Sequence, residues 1–361
     1  AEKPELQEEI NEINRKLESR EDKKLNDLWK KTRKLSLDSF EPIYKELNTY
    51  FDYYFFESEM EERGKKISWQ LLKKGIASLS DGAIIVDLKP YNFDVWVLLR
   101  RDGTILYSAK DLALAEKKFK DYKITRAIYI VGSAQKLHFI QLFKTLELMG
   151  SKYVNNCTYI PITEVRFPWG KMSSRTGENI LYSNFRGELI DYAKSEIQKR
   201  EKVEKKELEK RGTTIAIAAL KYSMLKQDVN KSFIFNKEEA LKFEGNTGPY
   251  LLYSYARAKS ILRKAKKHEK LKIINIEDSE KKLLIKISKF PDIVKDSYRN
   301  LSPNLIANYA FELSQIFNEF YHSNPVIGSE KESFRLSLVE SFSQTLKNSL
   351  TLLGIPVLER M

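Results

Sequence analysis

Cysteine is nearly missing from the 361-residue chain: Cys157 stands alone, which excludes a disulfide framework and a cysteine-cluster zinc site. Histidine is almost as scarce. His138, His268 and His322 lie too far apart in sequence for a histidine-rich metal motif, and no metal site is expected. Long apolar runs are lacking too. The longest, residues 215–220, falls far below the roughly 20 residues a membrane span needs. No signal peptide opens the chain, so it reads as a cytoplasmic protein without a membrane partner. The first residue is Ala1 and not Met, which reads as the start of a trimmed or internal fragment.

What the chain has in excess is positive charge. Lys+Arg number 63 against 50 Asp+Glu, a formal net charge of +13. Such a surplus points to a polyanionic partner, nucleic acid before an anionic membrane surface. At roughly 150 residues per domain the length allows two or three domains. It is enough to bury sizeable cores without staples.

Residues 1–50 read as a charged helical arm. Leu6, Ile10, Ile13 and Leu17 repeat at helical spacing, and the surrounding charges are mixed in sign. Residues 51–212 change character. Short apolar runs at 83–88, 95–99, 104–108, 127–131 and 159–165 alternate with helical stretches at 111–119 and 137–146. Strand, helix, strand, helix, strand is the order of a parallel α/β sheet. Residues 168–180 read as a loop and 191–211 as one charged helix with eight bases and six acids. From 213 to 361 the pattern is helical. Leu305, Tyr309, Leu313, Ile316 and Phe320 form an apolar stripe, and Gly354 and Pro356 stop the last helix. The expected architecture is α/β followed by all-α: part of a Rossmann-like parallel-sheet domain, then a helical bundle.

In open α/β sheets ligands bind beyond the carboxyl ends of the strands. Tyr107 closes one predicted strand, Asp111 lies just beyond it at a helix start, and Gln135 follows the strand ending at Gly132. If those strands are neighbours, a carboxylate, a phenol and an amide converge on one crevice. Such a set suits a cationic, fork-shaped ligand such as a guanidinium. Asp111 has a plainer reading as a helix N-cap, and Gln135 as a surface residue. The loop Gly170-Lys171-Met172-Ser173-Ser174-Arg175-Thr176-Gly177 offers two cations and several hydroxyls between glycines, which can neutralise a departing polyphosphate. It lacks the Walker A order, and its plainer reading is a solvated polar loop. Residues 257–272 hold eight bases (Arg257, Lys259, Arg263, Lys264, Lys266, Lys267, Lys270 and Lys272) and one acid, Glu269. Leu251, Tyr255, Ala258 and Leu262 give the same stretch an apolar face. A helix with one buried face and a basic remainder fits phosphate-backbone contact, or simply a soluble lysine-rich helix.

Together these segments resemble arginyl-tRNA synthetase, a class I aminoacyl-tRNA synthetase, most like the archaeal type, from about Leu28 to Met361. KMSSR at 171–175 resembles the second class I signature. DGAIIVDL (81–88), DGTILYSAKDLALA (102–115) and YIVGSAQKLHFIQLF (129–143) resemble consecutive blocks of the arginine enzyme. FEGNTGPYLLYSYARAKSIL (243–262) resembles the opening of its helical anticodon-binding domain, and GIPVLERM (354–361) its C-terminal end. The resemblance implies that L-arginine is activated by ATP, with Mg2+, to arginyl-adenylate and then passed to the tRNA for arginine. It implies that Tyr107, Asp111 and Gln135 form the arginine side-chain pocket. His138, Lys171, Met172, Ser173 and Ser174 would lie at ATP, with Lys171 and Arg175 catalytic. Arg257, Lys259, Arg263, Lys264, Lys266 and Lys267 would face tRNA, in a cytoplasmic monomer.

Two departures qualify the match. Ser174 stands where the family pattern KMSKS has a second lysine, and Arg175 can supply that charge. The other class I signature, HIGH, is missing, since no histidine here sits in an HxGH context. The chain is therefore expected to be a C-terminal portion, inactive alone. A tRNA-binding module or one subunit of a split synthetase is the alternative. A nucleotidylyltransferase outside translation accounts for the loop but not for the 243–262 block.

Overall fold

A computed structural model describes residues 6–167, 181–199, 201–265 and 275–361. The chain divides into two units, Ala1–Lys45 with Tyr50–Thr163, and Glu46–Thr49 with Glu164–Met361.

The first unit begins with α1 (Leu6–Ser19) and α2 (Lys23–Glu46). The apolar spacing does yield a helix, yet no residue of α1 is buried, and Leu6, Ile10 and Ile13 stay exposed. After α3 (Glu61–Lys73), strands β1 (Ser78–Ser80), β2 (Ala83–Val86) and β3 (Trp96–Leu99) form an antiparallel sheet. Asp81 and Gly82, at φ 49° and 81°, turn β1 into β2. A type I′ hairpin turn needs positive φ at both positions, which Asp-Gly supplies.

The predicted strand at 104–108 does not form. Asp102-Gly103 makes the expected turn, with Asp102 Oδ1 accepting from Thr104 N at 3.0 Å. Only Ile105 then bridges to Leu99 before α4 (Tyr107–Asp121) begins. Strand β4 (Ala127–Gly132), α5 (Lys136–Leu148) and β5 (Cys157–Ile162) follow. β4 and β5 pair in parallel, from Ala127↔Cys157 to Gly132↔Ile162. The parallel element is thus this pair, while β1–β3 run antiparallel. Leu71, Val86, Leu98, Leu112 and Leu142 fill the core. Gly64 lets α3 approach α4 closely: a Cβ there would lie 2.9 Å from the Ala109 carbonyl oxygen.

The second unit pairs β6 (Val165–Arg166) in parallel with β7 (Phe233–Ile234) and is otherwise helical. The single charged helix expected at 191–211 is two, α6 (Tyr182–Gln198) and α7 (Lys205–Leu225). Val203, between them, packs onto the core, and the extended Glu204 redirects the chain. α8 (Lys237–Ala240), α9 (Gly248–Lys264), α10 (Asp278–Ser288), α11 (Phe290–Asn300), α12 (Asn304–Ser323) and α13 (Glu332–Leu352) complete the bundle. The predicted stripe of α12 buries Tyr309, Leu313 and Phe320, with Ile316 partly covered. Phe317 stacks on Phe342 of α13, with centroids 3.7 Å apart. Among the described residues no helix is long and apolar enough to cross a membrane.

Candidate functional site

The start of α4 fixes the first two candidate residues. Leu106 is extended, at φ −94° and ψ 161°, and its N–H donates to the Leu98 carbonyl at 3.0 Å. Tyr107 is therefore the first helical residue. Asp111, one turn later, shares its face. This corrects two expectations: Tyr107 does not close a strand, and Asp111 is not the helix N-cap.

A second helix meets that face. β4 ends at Gly132, a short turn at Ser133–Gln135 follows, and α5 starts at Lys136. His138 Nε2 lies 2.7 Å from Asp111 Oδ2. The imidazole is only 7% exposed, between the rings of Trp96, Tyr107 and Phe139 at 5.5, 4.6 and 5.1 Å. Gln135 is exposed three residues before His138, at the carboxyl end of a parallel strand. Helices α4 and α5, and not neighbouring strands, bring Tyr107, Asp111 and His138 together, because β3 and β4 lie in different sheets. Gln141, one turn past His138, donates to the Asp94 carbonyl at 3.0 Å and anchors α5.

Asp111 keeps 31% of its side chain exposed and Tyr107 is 56% exposed, so both present polar atoms to solvent. Further along α4, Lys118 lies over the Tyr129 ring at 4.8 Å. Burial pushes its ammonium below the ordinary lysine range, with Asp111 and Cys157 acting in the opposite direction. Burial also raises the Tyr129 phenol, whose hydroxyl has no hydrogen-bond partner among the described residues. A carboxylate held by a buried ring, beside an accessible phenol, can accept hydrogen bonds from a small planar cation. Among the described residues no group of three His, Cys, Asp or Glu could hold a metal ion. Lys171, Met172, Ser173, Ser174 and Arg175 lie outside the described residues.

The basic stretch as far as Lys264 occupies the end of α9, where Leu251, Tyr255 and Ala258 are buried as the pattern required. Its bases do not all face solvent freely. The Arg257 guanidinium sits 4.6 Å from the Tyr253 ring and 5.6 Å from that of Tyr321, and its Nη2 donates to the Tyr253 hydroxyl at 3.1 Å. Arg257 Nη1 donates to Asn318 Oδ1 at 2.5 Å, and Asn318 Nδ2 donates to the Tyr250 hydroxyl at 2.8 Å. Lys259 Nζ lies 3.9 Å from a Glu359 carboxylate oxygen, and Arg263 donates to the Glu359 backbone carbonyl at 3.0 Å. Lys264 is exposed, and Lys266 and Lys267 lie outside the described residues. A groove of about 830 Å³ runs here, lined by Tyr253, Arg257, Arg263, Lys264, Tyr321 and Arg360 among others. Tyr253, Tyr321 and Arg360 escaped the sequence reading. The i,i+4 pair Tyr253 and Arg257 was the available signal.

Residues 1–237 match the family of class I tRNA synthetases (R), catalytic domain, and residues 251–361 match the DALR anticodon binding domain. The chain is 36% identical to an arginine–tRNA ligase of Clostridium perfringens, over 99% of this chain and 64% of that protein. It is 37% identical to one of Bdellovibrio bacteriovorus, over 93% of this chain and 59% of that protein. The arginyl-tRNA synthetase structure of Thermus thermophilus is similar with a TM-score of 0.87 at 25% identity, covering 100% of this chain and 68% of that one. The chain spans about three-fifths of the length of these curated relatives.

Proposed function

The chain belongs to the class I arginyl-tRNA synthetase family, and from that premise we propose that it serves in joining L-arginine to its cognate tRNA with ATP. The observation that carries this reading is the pairing of Tyr107 and Asp111 on one face of α4 with His138 against both. In it the guanidinium lies against Asp111, with the Tyr107 hydroxyl and the Gln135 amide as companions. The planar fork fits such acceptors, whereas an ammonium leaves some of them unpaired.

The arginine carboxylate attacks the α-phosphorus of ATP. A P–O bond forms, the bond to the β-phosphate bridge breaks, and pyrophosphate leaves. Lys171 and Arg175 are proposed to neutralise it, and Mg2+ enters with ATP as part of the substrate. A hydroxyl of the tRNA's terminal ribose then attacks the arginyl carbonyl, forming the ester as the bond to the adenylate phosphate breaks and AMP leaves. The groove around Arg257 supports a role in holding tRNA: a cation between two tyrosines offers stacking surface beside Lys264 and Arg360.

The test is ATP–pyrophosphate exchange with arginine and cognate tRNA. Arginine-dependent exchange that Asp111→Asn abolishes supports the reading; exchange indifferent to that change refutes the pocket. The relatives give no support to the expectation that this chain alone is inactive, and the same assay on the chain decides it. Salt-sensitive tRNA binding without exchange would favour the binding-module alternative.

A further inference from the structure

Asp111 lies on a helix surface, where a short carboxylate has several open rotamers. Among the described residues its one hydrogen-bond partner is His138. That partner is itself buried. His138 is 7% exposed and walled by the rings of Trp96, Tyr107 and Phe139. Its Nδ1 is buried with no hydrogen-bond partner among the described residues.

These facts fix the imidazole's role. An ionised carboxylate only accepts, so the proton facing Asp111 sits on Nε2. A single ring N–H orients Asp111 and leaves the rest of the carboxylate open. A lysine or arginine in the same place would compete with any incoming cation. The contact uses one of the roughly four acceptor sites of the carboxylate. The same ring packs against Tyr107.

We propose that His138 is a positioning residue for arginine recognition. Through its Nε2–H it holds the Asp111 carboxylate, and through ring contact Tyr107, in the arrangement that receives the guanidinium. This inference rests on the proposed arginine pocket. It sets aside the contact with ATP that the family resemblance implies for His138. Holding ligand groups in place before binding removes an ordering cost that would otherwise weaken affinity.

The test is isothermal titration of the full chain with L-arginine, and separately with ATP, with circular dichroism as the check on folding. His138→Phe keeps the ring but removes the donor. It is expected to weaken arginine binding roughly tenfold, about 1.4 kcal/mol, with ATP binding unchanged. His138→Gln places an amide N–H near the Nε2 position and should restore affinity to within about threefold of wild type. If the Phe variant fails to fold, His138→Asn carries the test: its amide is too short to replace Nε2, and the same weakening is expected. In an Asp111→Asn background, His138→Phe should add little further loss, which a merely structural role does not explain. Wild-type arginine affinity in the Phe or Asn variant overturns the proposal, as does a loss confined to ATP. Absence of arginine binding in the wild type, or no effect of Asp111→Asn alone, overturns the pocket itself and this inference with it.

Discussion

Arg335→Met tests the best-buried charge in the helical unit. Glu280, on the first turn of α10, has no solvent exposure. Its Oε1 accepts from Arg335 Nε at 2.8 Å, and its Oε2 accepts from the Glu277 N–H at 2.8 Å and lies 3.5 Å from Lys331 Nζ. Arg335 also donates to Glu277 Oε1 at 3.0 Å and to the Pro325 carbonyl at 2.8 Å, so one guanidinium links α13 to the start of α10. Removing one partner of a buried pair costs about 3–5 kcal/mol, because the other charge stays buried and uncompensated. Lys331 and the capping N–H remain, which places the expected cost at the lower end, about 3 kcal/mol. For a unit of roughly 150–250 residues that is a fall in Tm of about 6–12 °C. Adding Glu280→Gln should recover part of the loss, since a neutral amide is cheaper to bury than a lone carboxylate.

The same pair predicts acid sensitivity. Burial pushes the Glu280 carboxyl up, but the Glu277 N–H, Arg335 and Lys331 together outweigh it, and the group ends below its ordinary value of 4.5. A carboxyl whose pKa falls on folding contributes stability that is present above the unfolded value. That contribution is lost as pH falls through the folded one. The wild-type helical unit should therefore lose this stability below about pH 4.5, and the Arg335→Met variant should lose less of it. Calorimetry at neutral and acid pH reads both effects. A Tm change under about 2 °C at pH 7, or an acid slope equal to wild type, refutes the reasoning.

Asp111→Asn should weaken arginine binding by about 1.5–3 kcal/mol, the range for a hydrogen bond to a charged group; an unchanged Kd by titration contradicts the pocket. Gly248→Ala should destabilise by about 1–3 kcal/mol, because the new Cβ would meet the Ala218 backbone where α9 crosses α7. Gly187→Ala on α6, where no described residue beyond its neighbours in the helix lies within 4 Å of the new Cβ, should instead be neutral or gain about 0.5–1 kcal/mol from helix propensity; thermal unfolding with both signs equal would contradict the packing. Neutralising Lys264, Lys266 and Lys267 should lower tRNA affinity and flatten its dependence on salt. If affinity and salt slope both survive in filter-binding titrations, the stretch only solubilises the helix.

The predicted strand at 104–108 shows where local pattern misleads. Thr104, Ile105 and Leu106 have the look of a strand, and Ile105 does pair with Leu99. The helix starts at Tyr107 even so, because Ala109, Leu112, Ala113 and Ala115 present a small apolar face that packs into the core. Burial over four turns outweighs a three-residue β preference. The consequence for the site is direct. As a strand end and a helix cap, Tyr107 and Asp111 would point apart; as helical neighbours they share a face. Their candidacy was legible in sequence, but the geometry that makes them a pair was not.

His138 marks the deeper limit. Its bond to Asp111 spans 27 residues, and the Arg257 contact with Asn318 spans 61. Helical and strand periodicity reports only which residues of one element share a face, so it can select α4, α5, α9 and α12 but not the faces on which they meet. What settles those faces is packing. The buried rings of Trp96 and Phe139 at His138, and separately the Phe317–Phe342 stack between α12 and α13, favour the rotation of each helix that fills its own core. Once that rotation is set, Asp111 must lie against His138, and Arg257 must enter between Tyr253 and Tyr321. The polar contacts follow from the apolar ones. A site read from sequence is therefore most secure where its residues lie within one turn of each other, as Tyr107 and Asp111 do, and least secure where two helices must first agree on a core.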